Sequence, residues 1–233
     1  MHVGIVACSS EGAALCYRTI CAEGERYFGS YGHPEVSMHT PPLSDYVKAL
    51  DAADWQRVAD IMLDSAQKLA AAGANILICP DNTLHQALPL IESRSPVPWL
   101  HIAEVVSDEA RARGFRKLGL LGTRWLVGSG VYPEKLAQHG IGCEYPDHDE
   151  IEEIHRIIMD ELVFGNFKPE QIQYHRRVII HMKERGCDAV ILGCTEIPLI
   201  MNDENSPLPT LDSTRLLARA ALRRAASGSS VSR

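Results

Sequence analysis

The sequence predicts an α/β fold made of two pseudo-symmetric three-layer lobes, each with a parallel central sheet, and a ligand cleft between them. Three observations lead there. Short apolar strands alternate with longer amphipathic segments along the chain, the pattern of parallel sheets covered by helices. A length of 233 residues suits one large domain or two lobes of about a hundred residues each. The chain also repeats itself. Gly73 stands eight positions before Asp81 (81 − 73), and Gly186 stands eight before Cys194 (194 − 186). Each interval holds a helix cap, an apolar strand and a polar loop. Asn75 matches Asp188 and Ile78 matches Ile191 within it.

Taken in order, residues 3–7 (VGIVA) read as a strand and residues 11–28 as a helix. Residues 36–39 form a strand stopped by Pro41 and Pro42. Residues 54–72 place Val58, Ile61, Met62, Ser65, Ala66 and Leu69 on one stripe at helical spacing, and Gly73 ends that helix. A strand at 76–78 leads to a helix at 83–93, and Pro96 and Pro98 mark a crossing between segments. The pattern then restarts. A helix at 101–113 is capped by Gly114 and followed by a strand at 118–121. Residues 124–139 are mostly helical, interrupted at Gly128-Ser129-Gly130. A short strand at 141–143 precedes helices at 149–164 and 169–185, the second capped by Gly186. Residues 189–192 are a strand and 211–226 a closing helix. The first lobe is thus residues 1–98 plus 210–226, and the second is 99–209. The Ser/Gly-rich residues 227–233 are expected to fray.

Composition narrows the function classes. Hydrophobic residues at 45% and charged residues at 23% are ordinary for a soluble globular chain. A net charge of −7 with no run of Lys or Arg argues against nucleic acid or an anionic membrane as partner. No apolar run approaches the roughly 20 residues needed to span a bilayer. The opening MHVGIVACSSEG turns polar too early for a secretory signal, so a cytoplasmic location is expected. Seven cysteines without a CxxC pair suggest neither a disulfide framework nor a zinc ribbon. His139, Cys143 and His148 fit no standard ligand spacing, so no metal is expected.

The chemistry-bearing residues sit where two apolar strands give out. CPDNTLHQ (79–86) follows the strand at 76–78, and the strand within AVILGCTEIPLI (189–200) runs into Cys194. Ligands bind at the C-terminal ends of parallel strands, so Asp81 and Cys194 are expected on opposite walls of one cleft. A carboxylate and a thiol so placed can remove a proton from one face of a carbon and deliver one to the other. Asn82, Thr83 and Thr195 supply neutral groups to hold a substrate carboxylate. Ser9, Ser10 and Thr123 leave the first strand of each lobe just before a helix, where backbone N–H groups favour anions. Plainer roles stand beside these. Asp81, Asn82 and Thr83 are all good helix caps, and Cys194 fits a buried structural thiol. His85 serves equally to orient a polar group or as a satisfied core residue. Glu196 either complements a helix dipole or tunes Cys194. Tyr46 is a loop aromatic or a cleft wall.

The segment GCDAVILGCTEIPLI (186–200) closely resembles the second catalytic signature of the aspartate/glutamate racemase superfamily, the Asp/Glu/hydantoin racemases. DNTLH (81–85) stands where that family has its first signature, usually Cys-Asn-Thr followed by His. VGIVACSSEGAALCYRTI (3–20) resembles its opening strand and helix, which usually carry a Gly-Gly-Met-Gly-Pro-like loop. The match in order and spacing runs over nearly the whole chain. It implies two α/β lobes with the site between them, no pyridoxal phosphate or other cofactor, a homodimer, and two opposed acid/base residues. By position Cys194 is the second of the family's two cysteines, and Asp81 replaces the first. Two departures bear on the substrate. Tyr46 stands where members handling aspartate usually carry Arg, and Leu162-Val163-Phe164 lacks an expected basic residue.

The resemblance implies a cofactor-independent racemase or epimerase inverting Cα of an amino acid not restricted to aspartate or glutamate. Rivals on the same scaffold are a single-cysteine decarboxylase of substituted malonates, a maleate-type isomerase and a hydantoin racemase. A third class is a small-molecule binding protein that has lost its chemistry at Asp81.

Overall fold

The computed structural model describes residues 1–229. Residues 230–233 of the expected tail lie outside the described residues, while Ser227–Ser229 continue the last helix. Among the described residues no helix is long and apolar enough to cross a membrane. The chain divides into two compact units: Met1–Ile102 with the segment from Thr214 onward, and Ala103–Ser213.

The first unit contains strands β1 (His2–Val6), β2 (Glu35–His39), β3 (Ile76–Ile78) and β4 (Trp99–Leu100), ordered β2-β1-β3-β4 and parallel throughout. The second contains β5 (Lys117–Leu121), β6 (Gly142–Glu144), β7 (Ala189–Leu192) and β8 (Thr210–Asp212), ordered β6-β5-β7-β8 and again parallel. Helices flank both sheets. The registers repeat as well. Val3, Gly4 and Ile5 face Ile76, Leu77 and Ile78, as Leu118, Gly119 and Leu120 face Ala189, Val190 and Ile191.

The residues matched by spacing perform matched tasks. Gly73 and Gly186 end their helices at φ 99° and 89°, a left-handed conformation in which a Cβ would be strained. Two residues on, the Asn75 side chain accepts the His2 N–H at 3.1 Å. Asp188 accepts Arg116 N–H at 2.8 Å and Lys117 N–H at 3.3 Å. Each side chain thereby pins the start of the neighbouring strand and fixes its register. Pro98 and Pro209 each present a carbonyl to the third strand, to Leu77 N–H at 2.8 Å and Val190 N–H at 2.9 Å.

Helix α1 (Ser10–Glu23) stops at Gly24, so the single helix expected over 11–28 is two, the second being Glu25–Phe28. Helix α2 (Leu43–Asp51) was not foreseen, although Tyr46, Ala49 and Leu50 give it a buried face at helical spacing. Helix α3 (Trp55–Ala71) buries the whole expected stripe, and Asp54 caps it by accepting Arg57 N–H at 2.9 Å. Residues 83–93 are not one helix. They form 3-10 turns at Thr83–Ala87 and Glu92–Arg94 around a four-residue helix at Leu88–Ile91, where Pro89 lacks the N–H a longer helix would need.

Helix α4 (Ile102–Ala112) starts on the last residue of the first unit's opening segment and leads into β5 of the second. Helices α5 (His148–Asp160) and α6 (Pro169–Glu184) pack Ile154, Ile157, Ile158, Val178, Ile179 and Met182 onto Val190 and Leu192. The closing helix α7 (Ser213–Ser229) begins two residues later than expected, because Thr210–Asp212 pairs with β7 as an eighth strand.

Candidate active site

The loop after β3 is built around its own backbone needs. Cys79 is fully buried. Burial, reinforced by the nearby Asp81 charge, pushes its thiol well above the usual range, so it stays protonated as a core residue. Pro80 has no N–H and ends the ladder. The half-buried Asp81 accepts Leu84 N–H on Oδ1 at 3.1 Å, the geometry of a side-chain cap on the turn at Thr83–Ala87. Asn82 and Thr83 are buried beside it.

His85 points back to the loop. Its Nε2 lies 3.0 Å from the Cys79 carbonyl. A carbonyl only accepts, so Nε2 carries the proton. Burial, with His101 adding to it, pulls His85 down to about 3, and the ring is neutral. The His85 and His101 rings meet edge to face at 4.6 Å. His85 thus ties the start of the loop to its first turn.

Tyr46 lies on α2 rather than in a loop and is fully buried. Burial is the main cause raising its phenol above the usual range, with Cys79, Cys8 and Asp81 adding to it as neighbours and the Ser65 hydroxyl opposing. Tyr46 therefore lies near Cys79, Cys8 and Asp81 in the first unit. Ser9, the buried N-cap residue of α1, has extended backbone at φ −84°, ψ 152°. Ser10, the first helical residue, is exposed.

The loop after β7 is built differently. Gly193 donates its N–H to the Leu121 carbonyl at 2.8 Å. A Cβ there would stand 2.7 Å from that same oxygen, so the close approach requires glycine. Cys194 follows, 8% exposed, and its Sγ donates to Glu196 Oε2 at 2.9 Å. Thr195 Oγ1 donates to the same oxygen at 2.8 Å. Glu196 is buried, and its Oε1 has no hydrogen-bond partner among the described residues. Thr123 is the buried N-cap of a four-residue helix, Arg124–Val127, at the end of β5. In Leu162-Val163-Phe164, where a basic residue was expected, Leu162 belongs to the apolar cluster that includes Cys194 and Ile197, Val163 packs against it, and Phe164 is exposed. Among the described residues no group of three His, Cys, Asp or Glu side chains is arranged to hold a metal ion.

Within the first unit the structure therefore gathers Asp81, Asn82, Thr83, His85 and Tyr46, with Ser9 and Ser10 at the start of α1. Within the second it gathers Cys194, Thr195 and Glu196, with Thr123 at the end of β5. Sequence reasoning missed the tight approach at Gly193, whose signal was the Gly before Cys194. It also missed the edge-to-face contact of His101 with His85, which no local pattern announces.

Two four-stranded parallel sheets of equivalent strand order, each flanked by helices, define a two-lobe α/β fold. The family model for Asp/Glu/hydantoin racemases matches residues 5–221, and the chain belongs to that family of racemases, which are isomerases. It is 24% identical over 191 residues to the broad-specificity amino-acid racemase RacX of Bacillus subtilis, covering 81% of this chain and 80% of that one. Among solved structures, an aspartate racemase homologue from Pyrococcus horikoshii superposes with a TM-score of 0.81 at 28% identity, over 97% and 99% of the two chains. A proposed Asp/Glu racemase from Yersinia pestis reaches 0.85 at 30% identity, over 96% and 98%.

Proposed function

We propose that the protein is a cofactor-independent racemase or epimerase of amino acids with uncharged side chains, with Asp81 and Cys194 as its two acid/base groups. The observation that carries the reading is the matched placement of the two loops. The same register and the same glycine-to-strand spacing put Asp81 just past β3 and Cys194 just past β7. Inversion needs one group to take the Cα proton and another to return one from the opposite face. Asn82, Thr83 and Thr195 hold the α-carboxylate, Thr195 through its backbone N–H because its hydroxyl donates to Glu196, with Ser9, Ser10 and Thr123 beside the helix starts. Tyr46, and Leu162-Val163-Phe164 where a basic residue was expected, stand in place of two cations, which disfavours a second carboxylate on the substrate. A broad-specificity relative supports the same substrate range. A homodimer and a cytoplasmic location belong to this reading, and light scattering at twice the chain mass checks the first.

The test is proton NMR in deuterium oxide against L- and D-amino acids, neutral ones included. Loss of the Cα signal is expected for neutral substrates ahead of aspartate and glutamate. Cys194→Ser abolishes that loss; undiminished exchange in this variant would end the reading.

One observation favours a second reading. Asp81 already spends Oδ1 on the Leu84 N–H. If capping is its whole task, Cys194 works alone, as a proton donor to a planar enediolate or as a nucleophile. Release of carbon dioxide from substituted malonates, or double-bond isomerisation, with no Cα exchange on amino acids, selects that alternative.

A further inference from the structure

The two-base reading assigns no residue to the substrate side chain, and the end of β5 carries an aromatic ring that the reading does not use. Trp125 is half-buried in the four-residue helix Arg124–Val127, at the C-terminal strand ends where ligands bind in parallel sheets. Two contacts tie it to the thiol loop. The adjoining Leu126 packs on the backbone just before Cys194, where a Cβ on Gly193 would stand 2.7 Å from Leu126 Cδ2. On its other side the Trp125 ring meets the buried His155 of α5 edge to face, with centroids 4.7 Å apart and planes at 88°. One helical turn on from His155, Met159 packs against the apolar cluster that includes Cys194. The indole is thus braced in the neighbourhood of the thiol, and part of its surface stays open.

We infer that Trp125, braced by His155, is the wall against which the substrate side chain packs, which makes amino acids with aromatic or large aliphatic side chains the preferred substrates. This rests on the proposed function and names its substrate class. An indole gains most from covered apolar area and from offset or edge contacts with a second ring. Charged side chains fit worse. The Arg124 guanidinium stands 5.6 Å from the Trp125 centroid, where a substrate cation would otherwise be drawn to the ring, and it repels that cation. Glu152 Oε2 lies 3.3 Å from Arg124 Nη1 and neutralises the guanidinium, so an acidic side chain gains little there for the water it gives up. Trp125 moves no proton; it selects which amino acid presents its Cα to Cys194.

The test uses the full chain as wild type, Trp125→Ala and Trp125→Phe. Cα deuterium exchange gives kcat/KM for phenylalanine, leucine, alanine, lysine and aspartate, each as both enantiomers. The wild type is expected to favour phenylalanine and leucine over alanine by roughly tenfold or more, and over lysine and aspartate as well. Trp125→Ala is expected to lower the phenylalanine-to-alanine ratio by roughly 10- to 100-fold, and Trp125→Phe to keep it within about threefold of wild type. Loosening around the thiol loop slows all substrates in one proportion and leaves that ratio where it was. A second readout is tryptophan emission during titration with phenylalanine: a saturable change in the wild type is expected to be absent in Trp125→Phe, where Trp55 and Trp99 remain as emitters.

The inference is overturned if the wild type prefers alanine, lysine or aspartate to phenylalanine, if Trp125→Ala slows every substrate alike, or if Trp125→Phe is no better than Trp125→Ala. If the wild type exchanges no amino acid at all, the racemase reading fails on its own. Emission then still decides the wall: a saturable response to phenylalanine that is lost in Trp125→Phe supports it, and no response, or one that persists in the variant, overturns it.

Discussion

After β3 the chain turns on a carboxylate that caps its own loop; after β7 it turns on a glycine that frees a thiol to meet a carboxylate. The scaffolds beneath are nearly superimposable in logic. Both sheets share one strand order, and both carry a left-handed glycine, an Asn or Asp pin and a proline carbonyl at the same places. The difference begins one residue before the key side chain. Pro80 ends the first ladder, whereas Gly193 adds one more bond, to Leu121 at 2.8 Å. The first loop therefore needs side chains to hold it, from Asp81 and His85. The second is held by backbone, which leaves Cys194, Thr195 and Glu196 to bond one another. A repeated backbone fixes where a reactive group stands, and the local hydrogen-bond demand decides which side chains are available for chemistry.

The largest expected effect breaks the comparison outright. Cys194→Ala is expected to remove Cα exchange, and Asp81→Ala to lower it by roughly 100- to 10,000-fold. Asp81→Cys, which makes the loops chemically alike, is expected to retain exchange well above Asp81→Ala. Deuterium incorporation from each enantiomer measures all three, and an Asp81→Ala variant as active as wild type assigns that residue to capping alone.

Next comes the backbone difference. Gly193→Ala sets a Cβ against the Leu121 carbonyl, and the forced shift is expected to cost about 1–3 kcal/mol. Pro80→Ala, with no such clash, is expected to cost less than about 1 kcal/mol. Urea unfolding midpoints compare them.

The pins give a finer test. Asp188→Ala strips acceptors from two N–H groups at the entry to β5, those of Arg116 and Lys117, and Asn75→Ala from one in β1. Losses of about 1–3 and about 1 kcal/mol are expected, in that order.

The last test concerns acid. Burial holds His85 at about 3 against 6.5 for an ordinary imidazole, and it lowers His175 in the second unit as well. The unfolded chain takes up these protons first as pH falls. For His85 the contribution is therefore complete above 6.5 and is lost as pH drops toward 3. His85→Asn is expected to make the fall of the unfolding midpoint from about pH 7 to about pH 4 shallower.

Much of this was legible in the chain. The apolar triplet at 76–78, the stripe on α3, and the glycine-to-loop spacing gave the strands, the repeat and the positions of Asp81 and Cys194. What escaped reading was short or non-local. Strands of two and three residues at β4 and β8 carry too few residues to show a period, and they exist because β3 and β7 offer them an edge. Tyr46 read as a loop aromatic or a cleft wall, and not as a helical residue, because α2 is only nine residues long, and its burial is decided by the packing around it.

The amino-acid order by itself determined the alternation of elements, the internal repeat and the chemical types at the two loop tips, because those depend on neighbours a few residues away. Only the folded structure decided that the Cys194 thiol donates to Glu196, that His85 turns back to the Cys79 carbonyl, and that Tyr46 sits in the interior. Those outcomes depend on side-chain rotamers and on strands brought together from distant parts of the chain, where a displacement of an ångström makes or removes a hydrogen bond.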